Sequence, residues 1–386
     1  MLFRSTFAPT PKTSVFRLLL TMAVQNHLDL RQMDVCTAFL IPTLPKKEVI
    51  YMQPPSGVYQ YLRNNGVKIR PGQVLKLNKC IYGLRQASKY WNEELVKVLT
   101  ANLNFKQVPE EPCLFVKQDK KSFTFILIWV DDLLMAGQTS TLNDVVDRLK
   151  DLLPMKDLGF PSEFTGVKII KKEKGLLLSQ SLFIEKALKT FNMTDCKGYD
   201  CPTVGHRLTL DDGSGALEKN VPYRSAVGVL NWLAINTRPD IAFAVNQVAR
   251  FCNAPTVNHW TAVKRIFRYL KTTIKLGVDI KVQSSEEFKL IGFSDANHAG
   301  DTEERKSTGG FIFKIGKVLL SWRVQTIKSV CTSSYHSEVS TASAACMEGM
   351  WLIRLVQHFG VEGVVKLPID LFCDNQAVVK IGRAHV

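Results

Sequence analysis

Two adjacent carboxylates, Asp131 and Asp132, lie between two apolar segments in LIWVDDLLMAG. The apolar residues on both sides predict two antiparallel β-strands joined by a tight hairpin, with the aspartates at its turn. Charged groups next to a buried sheet are costly unless a cation neutralises them, and Mg²⁺ with phosphate is a common solution. The alternative is a surface hairpin whose turn is simply Asp-Asp.

A third carboxylate, Asp34, precedes apolar residues at strand spacing in QMDVCTAFL. If its strand neighbours the hairpin, three carboxylates meet and can hold two metal ions roughly 4 Å apart. This arrangement serves nucleotidyl transfer, because one ion lowers the pKa of a primer 3′-hydroxyl and the other holds the triphosphate.

The charge balance favours a polyanionic partner. The 386 residues include 50 Lys and Arg against 35 Asp and Glu, a formal charge of +15. The hydrophobic content of 46% excludes disorder as the main state. The sequence lacks an apolar window of about 18 residues and an apolar signal core, so we expect neither a signal peptide nor a membrane partner. Nine cysteines without a CxxC pair indicate reduced thiols, hence a cytoplasmic or nuclear location.

One predicted helix carries a stripe of cations. Lys264, Arg268, Lys271 and Lys275 recur at helical spacing within a predicted helix over 257–275. The opposite side of this helix is apolar, so the stripe is either a contact for a nucleic-acid backbone or a solvated face. A second helix is predicted over 221–252. From residue 287 the pattern predicts three strands, a long helix that ends near residue 358, and a final strand in IDLFCD.

Several ordered motifs resemble the reverse transcriptase of copia-type LTR retrotransposons. They are MDVCTAFL, YMQPPSGV, KLNKCIYGLRQASKYW, WVDDLL, MKDLG and SQSLFIEKALKTF. The segment PYRSAVGVLNWLAINTRPDIAFAVNQVARF is similar to the connecting region of the same polyproteins, and SDANHAGD and CDNQAV resemble their ribonuclease H domain. The similarity covers residues 7 to about 380.

The resemblance implies an α+β fold: a right-hand polymerase palm and thumb with truncated fingers, then a helical connection and a ribonuclease H-like mixed α/β domain. The implied boundaries are reverse transcriptase 1–195, connection 196–285 and ribonuclease H-like domain 286–380. Residues 381–386 match the translation of a sequencing-library adapter, so we expect an artefactual tail that breaks the preceding helix.

The resemblance also assigns site residues. Asp34, Asp131 and Asp132 become the metal-binding carboxylates of the polymerase. Phe39 becomes the aromatic residue that favours deoxynucleotides, with a plain core Phe in an apolar strand as the alternative. The residues near template, primer or incoming base are Gly83, Gln86 and Trp129, where Trp129 replaces the Tyr of the family.

In the C-terminal region, the resemblance assigns Asp295, Glu338 and Asp374 as ribonuclease H carboxylates. Two departures place His336 and His298 near this site, where they are either metal ligands or ordinary surface or core histidines.

The implied function is RNA-directed DNA polymerase with ribonuclease H, using Mg²⁺ or, as a substitute, Mn²⁺. The implied partners are an RNA template, a DNA primer, RNA–DNA hybrid, dNTPs and other Pol segments, with virus-like particles as the cytoplasmic location in the parent element. Segments of the family are missing before residue 7 and after Asp374, so we expect impaired activity. The alternative is a non-enzymatic transposon remnant that binds nucleic acid through charge alone.

Overall fold

The computed structural model describes residues 6–383 with several internal gaps. The gaps are 68–69, 71, 120–121, 204, 206–207, 211, 285, 301–304 and 361–367. The helices are α1 (Thr13–Gln25), α2 (Val58–Asn64), α3 (Ala87–Lys97), α4 (Thr139–Leu152), α5 (Ser181–Thr190), α6 (Tyr223–Asn236), α7 (Ala242–Ala249), α8 (Val257–Thr272), α9 (Ser334–Gln357) and α10 (Gln376–Arg383).

The strands form three main sheets and one short pair. They are β1 (Asp29–Val35), β2 (Tyr51–Met52), β3 (Leu75–Lys76), β4 (Lys106–Val108), β5 (Glu111–Asp119), β6 (Ser122–Trp129), β7 (Asp132–Gly137), β8 (Met155–Gly159), β9 (Glu163–Phe164), β10 (Val167–Lys172), β11 (Gly175–Ser179), β12 (Val278–Lys281), β13 (Leu290–Asn297), β14 (Thr308–Ile315), β15 (Val318–Thr326) and β16 (Asp370–Phe372).

The first sheet has the order β4-β5-β6-β7-β1-β8. Its central strands β6 and β7 are apolar almost throughout because both faces of the sheet are covered. Leu127 and Leu134 pack toward α1, whereas Ile128 and Leu133 pack toward α3 and α4. The apolar sequence on both sides of the two aspartates therefore becomes the interior of a two-sided sheet.

A second sheet, β12-β11-β10-β9, crosses the predicted boundary near residue 195, because β12 pairs with β11 far earlier in the chain. Beside it, α5 to α8 share a separate apolar core. The single helix predicted over 221–252 is wrong: α6 ends at Asn236 and α7 begins at Ala242, with a 3₁₀ turn Pro239–Ile241 between them. Pro239 lacks the backbone N–H that a continuous helix would require.

The third sheet has the order β15-β14-β13-β16, with β13 and β16 parallel. Helix α9 packs on one face of β13 and β14. The final helix α10 continues through Arg383, so the predicted break after residue 380 is wrong for 381–383; residues 384–386 lie outside the described part. The artefactual origin of residues 381–386 stays a prediction.

Helix α1 joins the sheets, since it packs against β7, β12 and β15. Its Arg17 is buried and donates through Nε to Leu320 O at 2.7 Å and through Nη1 to Asn236 O at 2.9 Å. Burial lowers the pKa of Arg17 to about 9, against the opposing influence of Glu348. Three distant chain segments therefore meet at this guanidinium.

The predicted α+β class is confirmed: a polymerase-type sheet, a helical region and a ribonuclease H-like sheet follow in the expected order. Among the helices of the described residues, none is long and apolar enough to span a bilayer.

Candidate functional site

The hairpin turn that carries the paired aspartates is tight. Strand β6 ends at Trp129, β7 begins at Asp132, and these two residues pair across the hairpin. Val130 adopts φ +59°, a left-handed conformation that β-branched residues rarely take. Backbone strain of this kind needs support from the surrounding structure.

That support comes from Trp91 of α3 and from β1. The buried indole of Trp91 donates through Nε1 to Val130 O at 2.7 Å. The backbone N–H of Val35 donates to Asp131 O at 3.0 Å. Trp91 is the last residue of the motif KLNKCIYGLRQASKYW, but nothing in that motif indicates that its indole reaches a turn 39 residues away.

Asp34 joins the pair through strand register. In the pairing of β1 with β7, Asp34 lies directly opposite Asp132, and on its other side it lies opposite Lys156 of β8. All three aspartates are half-buried. Gln32 donates through Nε2 to Asp132 Oδ1 at 3.3 Å and fixes the orientation of that carboxylate. The structure thus brings together the three carboxylates that the sequence predicted.

Electrostatics at this cluster favour a cation. Burial raises the pKa of Asp132, and the negative charges of Asp131 and Asp34 raise it further, while the Gln32 hydrogen bond opposes them. Three carboxylates at adjacent register positions repel one another, and a divalent cation with oxygen ligands relieves that repulsion. The type of donor therefore fits Mg²⁺, but the three aspartates do not form one of the groups of described residues whose ligand atoms all lie within 4.8 Å of one another.

Of the four residues predicted near template, primer or nucleotide, Trp129 adjoins this turn, and the other three lie in separate segments of the chain. Phe39 lies in the 3₁₀ helix Ala38–Leu40 rather than in a strand, and its ring contacts Tyr82 with centroids 5.2 Å apart. Gly83 has φ +95°, and a Cβ at this position would meet no atom within 4 Å. Gln86 donates to Glu48 Oε2 at 3.4 Å, and Trp129 is half-buried beside the turn.

A second carboxylate cluster lies on the third sheet. Asp295 on β13 and Asp374 just after β16 extend from parallel strands that pair Phe293 with Phe372. Glu338, buried in the second turn of α9, accepts a hydrogen bond from the backbone N–H of Ala296 at 3.2 Å. The three carboxylates expected from the sequence converge here.

Burial raises the pKa of Glu338, and the charges of Asp295 and Asp374 add to this effect. Sequence reasoning missed a fourth group: the Cys373 thiol lies 3.7 Å from Glu338 Oε2, and Glu338, Cys373 and Asp374 offer ligand atoms within 4.8 Å of one another.

The sequence also placed two histidines, His336 and His298, near this cluster. His336 Nδ1 accepts from the backbone N–H of Thr332 at 3.4 Å, at the N-terminus of α9. His298 Nδ1 is buried and has no hydrogen-bond partner among the residues that the structure describes. Neither histidine belongs to the group of potential ligands found within those residues.

The cation stripe divides into two kinds of residue. Arg268 donates to Lys197 O at 2.6 Å and Lys271 to Cys196 O at 2.7 Å, so both hold the 196–201 segment against α8. Lys264 is half-buried within the helix, while exposed Lys275 follows its end at Thr272.

Comparisons with known proteins show what the chain is similar to. A family model described as reverse transcriptase (RNA-dependent DNA polymerase) matches residues 1–205. The chain is 34% identical over 395 residues to the Retrovirus-related Pol polyprotein from transposon TNT 1-94 of Nicotiana tabacum, covering 99% of this chain and 28% of that protein. It is 33% identical to the Pol polyprotein from transposon RE2 of Arabidopsis thaliana, covering 97% of this chain and 25% of that protein.

A shorter relative is the putative transposon Ty5-1 protein of Saccharomyces cerevisiae, 32% identical over 82% of this chain and 100% of that protein. The chain spans about a quarter of the length of the two Pol polyproteins. A solved foamy viral protease-reverse transcriptase in complex with RNA/DNA hybrid is 11% identical, with a TM-score of 0.48, over 92% of this chain and 46% of that chain.

Proposed function

The chain belongs to the reverse transcriptase family of copia-type Pol polyproteins, and from that premise we propose that it synthesises DNA on RNA and DNA templates and cleaves the RNA strand of RNA–DNA hybrids. The register that pairs Asp34 with Asp132, beside the turn at Asp131, carries the proposal. The proposed regions are reverse transcriptase 1–195, connection 196–285 and ribonuclease H 286–380.

At the polymerase site, Asp34, Asp131 and Asp132 would hold the divalent cations. Bound there, Mg²⁺ or Mn²⁺ would lower the pKa of the primer 3′-hydroxyl and neutralise charge on the triphosphate. Gln32 keeps the Asp132 carboxylate oriented, and Trp91 keeps the turn in position. The exposed Lys156 adds positive charge opposite Asp34.

Nucleotide selection would fall to residues around the turn. Phe39, on a 3₁₀ helix five residues after Asp34, would crowd the sugar 2′ position and favour dNTPs. Gly83 leaves room for the template or incoming base because no side chain fills that position. Gln86 would contact the base or template, and Trp129 would pack on the primer terminus.

At the second cluster, Asp295, Glu338 and Asp374 would hold the cations for RNA cleavage. Water would attack the phosphorus in line, and the buried Glu338 is kept in place by the Ala296 N–H. Lys264, Arg268, Lys271 and Lys275 would neutralise phosphates of the template, primer or hybrid. Other Pol segments are the proposed protein partners.

Two assays on the purified chain test the proposal. We expect Asp131→Asn to abolish Mg²⁺-dependent primer extension and leave RNA cleavage intact. We expect the reverse for Glu338→Gln, because the two carboxylates belong to separate clusters. Loss of both activities in both variants would point to misfolding and is checked by the melting temperature of each variant.

A non-enzymatic remnant gives a different result. It would show no extension above that of the Asp131→Asn variant and would still bind nucleic acid with a steep salt dependence. That outcome would overturn the enzymatic proposal.

A further inference from the structure

The thiol of Cys373 lies inside the second carboxylate cluster. Its Sγ donates to Glu338 Oε2 at 3.7 Å, and Asp374 follows it directly in the chain. A tetrahedral ion with Zn–S of about 2.3 Å and Zn–O of about 2.1 Å separates its sulfur and oxygen ligands by roughly 3.6 Å. The observed spacing of sulfur and oxygen is therefore already that of a shared ligand set.

A second observation points to a ligand at the same place. Ser294 is 5% exposed, and its buried Oγ makes no hydrogen bond to any of the residues that the structure describes. Phe293 of β13 pairs with Phe372 of β16, so Ser294 and Cys373, the next residue of each, lie side by side where the parallel pair ends. A buried hydroxyl without a partner is unusual, and beside a thiolate it would serve as a donor that orients a metal ligand.

We propose that Cys373, Glu338 and Asp374 bind a thiophilic divalent cation of the Zn²⁺ class, with Ser294 donating a hydrogen bond to the metal-bound sulfur. Mg²⁺ takes oxygen ligands, whereas a thiolate selects softer ions such as Zn²⁺ and Cd²⁺. Binding replaces the thiol proton, which passes to solvent, by the metal–sulfur bond.

The consequence for activity rests on the proposed function. Glu338 and Asp374 are the carboxylates proposed for RNA cleavage, so a thiophilic ion bound there competes with Mg²⁺. When a low concentration of Zn²⁺ is added in the presence of Mg²⁺, the chain therefore loses its RNA-cleaving activity, while primer extension at the separate aspartate cluster continues.

Direct binding is measured with Cd²⁺, because a cadmium–thiolate bond absorbs in the ultraviolet. The full chain is titrated with Cd²⁺ under reducing conditions, and the same titration is run on Cys373→Ser and on Cys346→Ser. Cys346 is an exposed cysteine on α9, the helix that carries Glu338, and so controls for unspecific thiols. A third variant, Ser294→Ala, leaves the three proposed ligands Cys373, Glu338 and Asp374 in place.

We expect Cys373→Ser to lose the tightest absorbance step and to weaken Zn²⁺ inhibition of RNA cleavage at least tenfold, relative to its own rate without Zn²⁺. Cys346→Ser keeps both, and Ser294→Ala weakens Cd²⁺ binding severalfold. An unchanged Cd²⁺ titration in Cys373→Ser with an unchanged melting temperature overturns the metal site. If no variant cleaves RNA but Cys373 still determines the Cd²⁺ step, the metal site stands and the ribonuclease proposal fails.

Discussion

The indole of Trp91 allows a direct test of what stabilises the hairpin turn that carries Asp131 and Asp132. In Trp91→Phe the ring remains apolar, but the hydrogen bond from Nε1 to Val130 O at 2.7 Å is lost. In the wild type, Val130 has a left-handed φ of +59°, and the hydrogen bond from Trp91 helps to hold this strained backbone conformation. Without that hydrogen bond, the turn can relax to a less strained conformation. We therefore expect a defect in both stability and positioning.

The magnitude follows from two contributions. Leaving a partly buried carbonyl without its donor costs about 1–2 kcal/mol. The smaller ring buries roughly 40 Å² less apolar surface, which adds about 1 kcal/mol. We expect the free energy of unfolding to fall by about 2–3 kcal/mol. If about 1.4 kcal/mol of this loss destabilises the turn conformation that supports catalysis, kcat falls about tenfold.

Trp322→Phe is the matched control, because Trp322 Nε1 donates to Ala234 O at the same 2.7 Å, away from the turn. Urea unfolding and single-nucleotide incorporation are measured for both variants. Hydrogen exchange at the Val35 amide, which donates to Asp131 O, reports on the turn without requiring activity. We expect faster exchange and slower incorporation in Trp91→Phe alone.

Two results would refute this reasoning. One is a Trp91→Phe variant with wild-type incorporation and unchanged protection of the Val35 amide. The other is an equal loss of incorporation in Trp322→Phe, which would make the defect a general consequence of lower stability.

Three further predictions concern the titration of Asp132, the steric role of Phe39 and the contribution of Lys264 to nucleic-acid binding. In the metal-free chain, the raised pKa of Asp132 means that the folded state retains a proton above the ordinary value of 3.8, so the free energy of unfolding falls as pH rises above that value. Asp132→Asn should remove part of this slope and raise the free energy of unfolding at pH 7, measured by urea unfolding; an unchanged slope would contradict this. Phe39→Val should raise ribonucleotide incorporation relative to deoxynucleotide by about 10- to 100-fold, and an unchanged ratio in single-nucleotide kinetics would exclude its proposed role. Lys264→Gln should lower the slope of log affinity against log salt by about 0.9, whereas Lys271→Gln, whose ammonium holds Cys196 O, should change it by less than half as much.

Local sequence signals predicted the parts of the fold that local physics determines. The apolar segments on both sides of Asp131 and Asp132 determined a hairpin, and the structure has that hairpin with strands Ser122–Trp129 and Asp132–Gly137. The amphipathic pattern of α8 and the long helix α9 were also predictable, because each follows one regular period.

Contacts between distant segments were not predictable from these signals. The apolar residues on both sides of Pro239 recur at helical spacing, so the sequence pattern predicted one continuous helix across the break between α6 and α7. Arg17 lies in an apolar helix, and its carbonyl partners are 218 to 303 residues away. No local period reports such a partner.

The same distinction holds for the sites. The residue pattern identified Asp34, Asp131 and Asp132, and resemblance added Asp295, Glu338 and Asp374. Strand register brought Asp34 opposite Asp132. Trp91 was missed because its role depends on a hydrogen bond across elements, and Ser294 was missed because its place beside Cys373 depends on the pairing of distant strands; residue type encodes neither.

The most direct test of the central claim is single-turnover incorporation of one dNTP on a primed RNA template in Mg²⁺. Wild type is compared with Asp34→Asn, Asp131→Asn and the control Asp151→Asn, an exposed aspartate on α4. The account predicts measurable incorporation in wild type and Asp151→Asn, and a loss of at least a hundredfold in the other two, a difference of about 2.7 kcal/mol or more. Incorporation at the wild-type rate in Asp34→Asn or Asp131→Asn would contradict it.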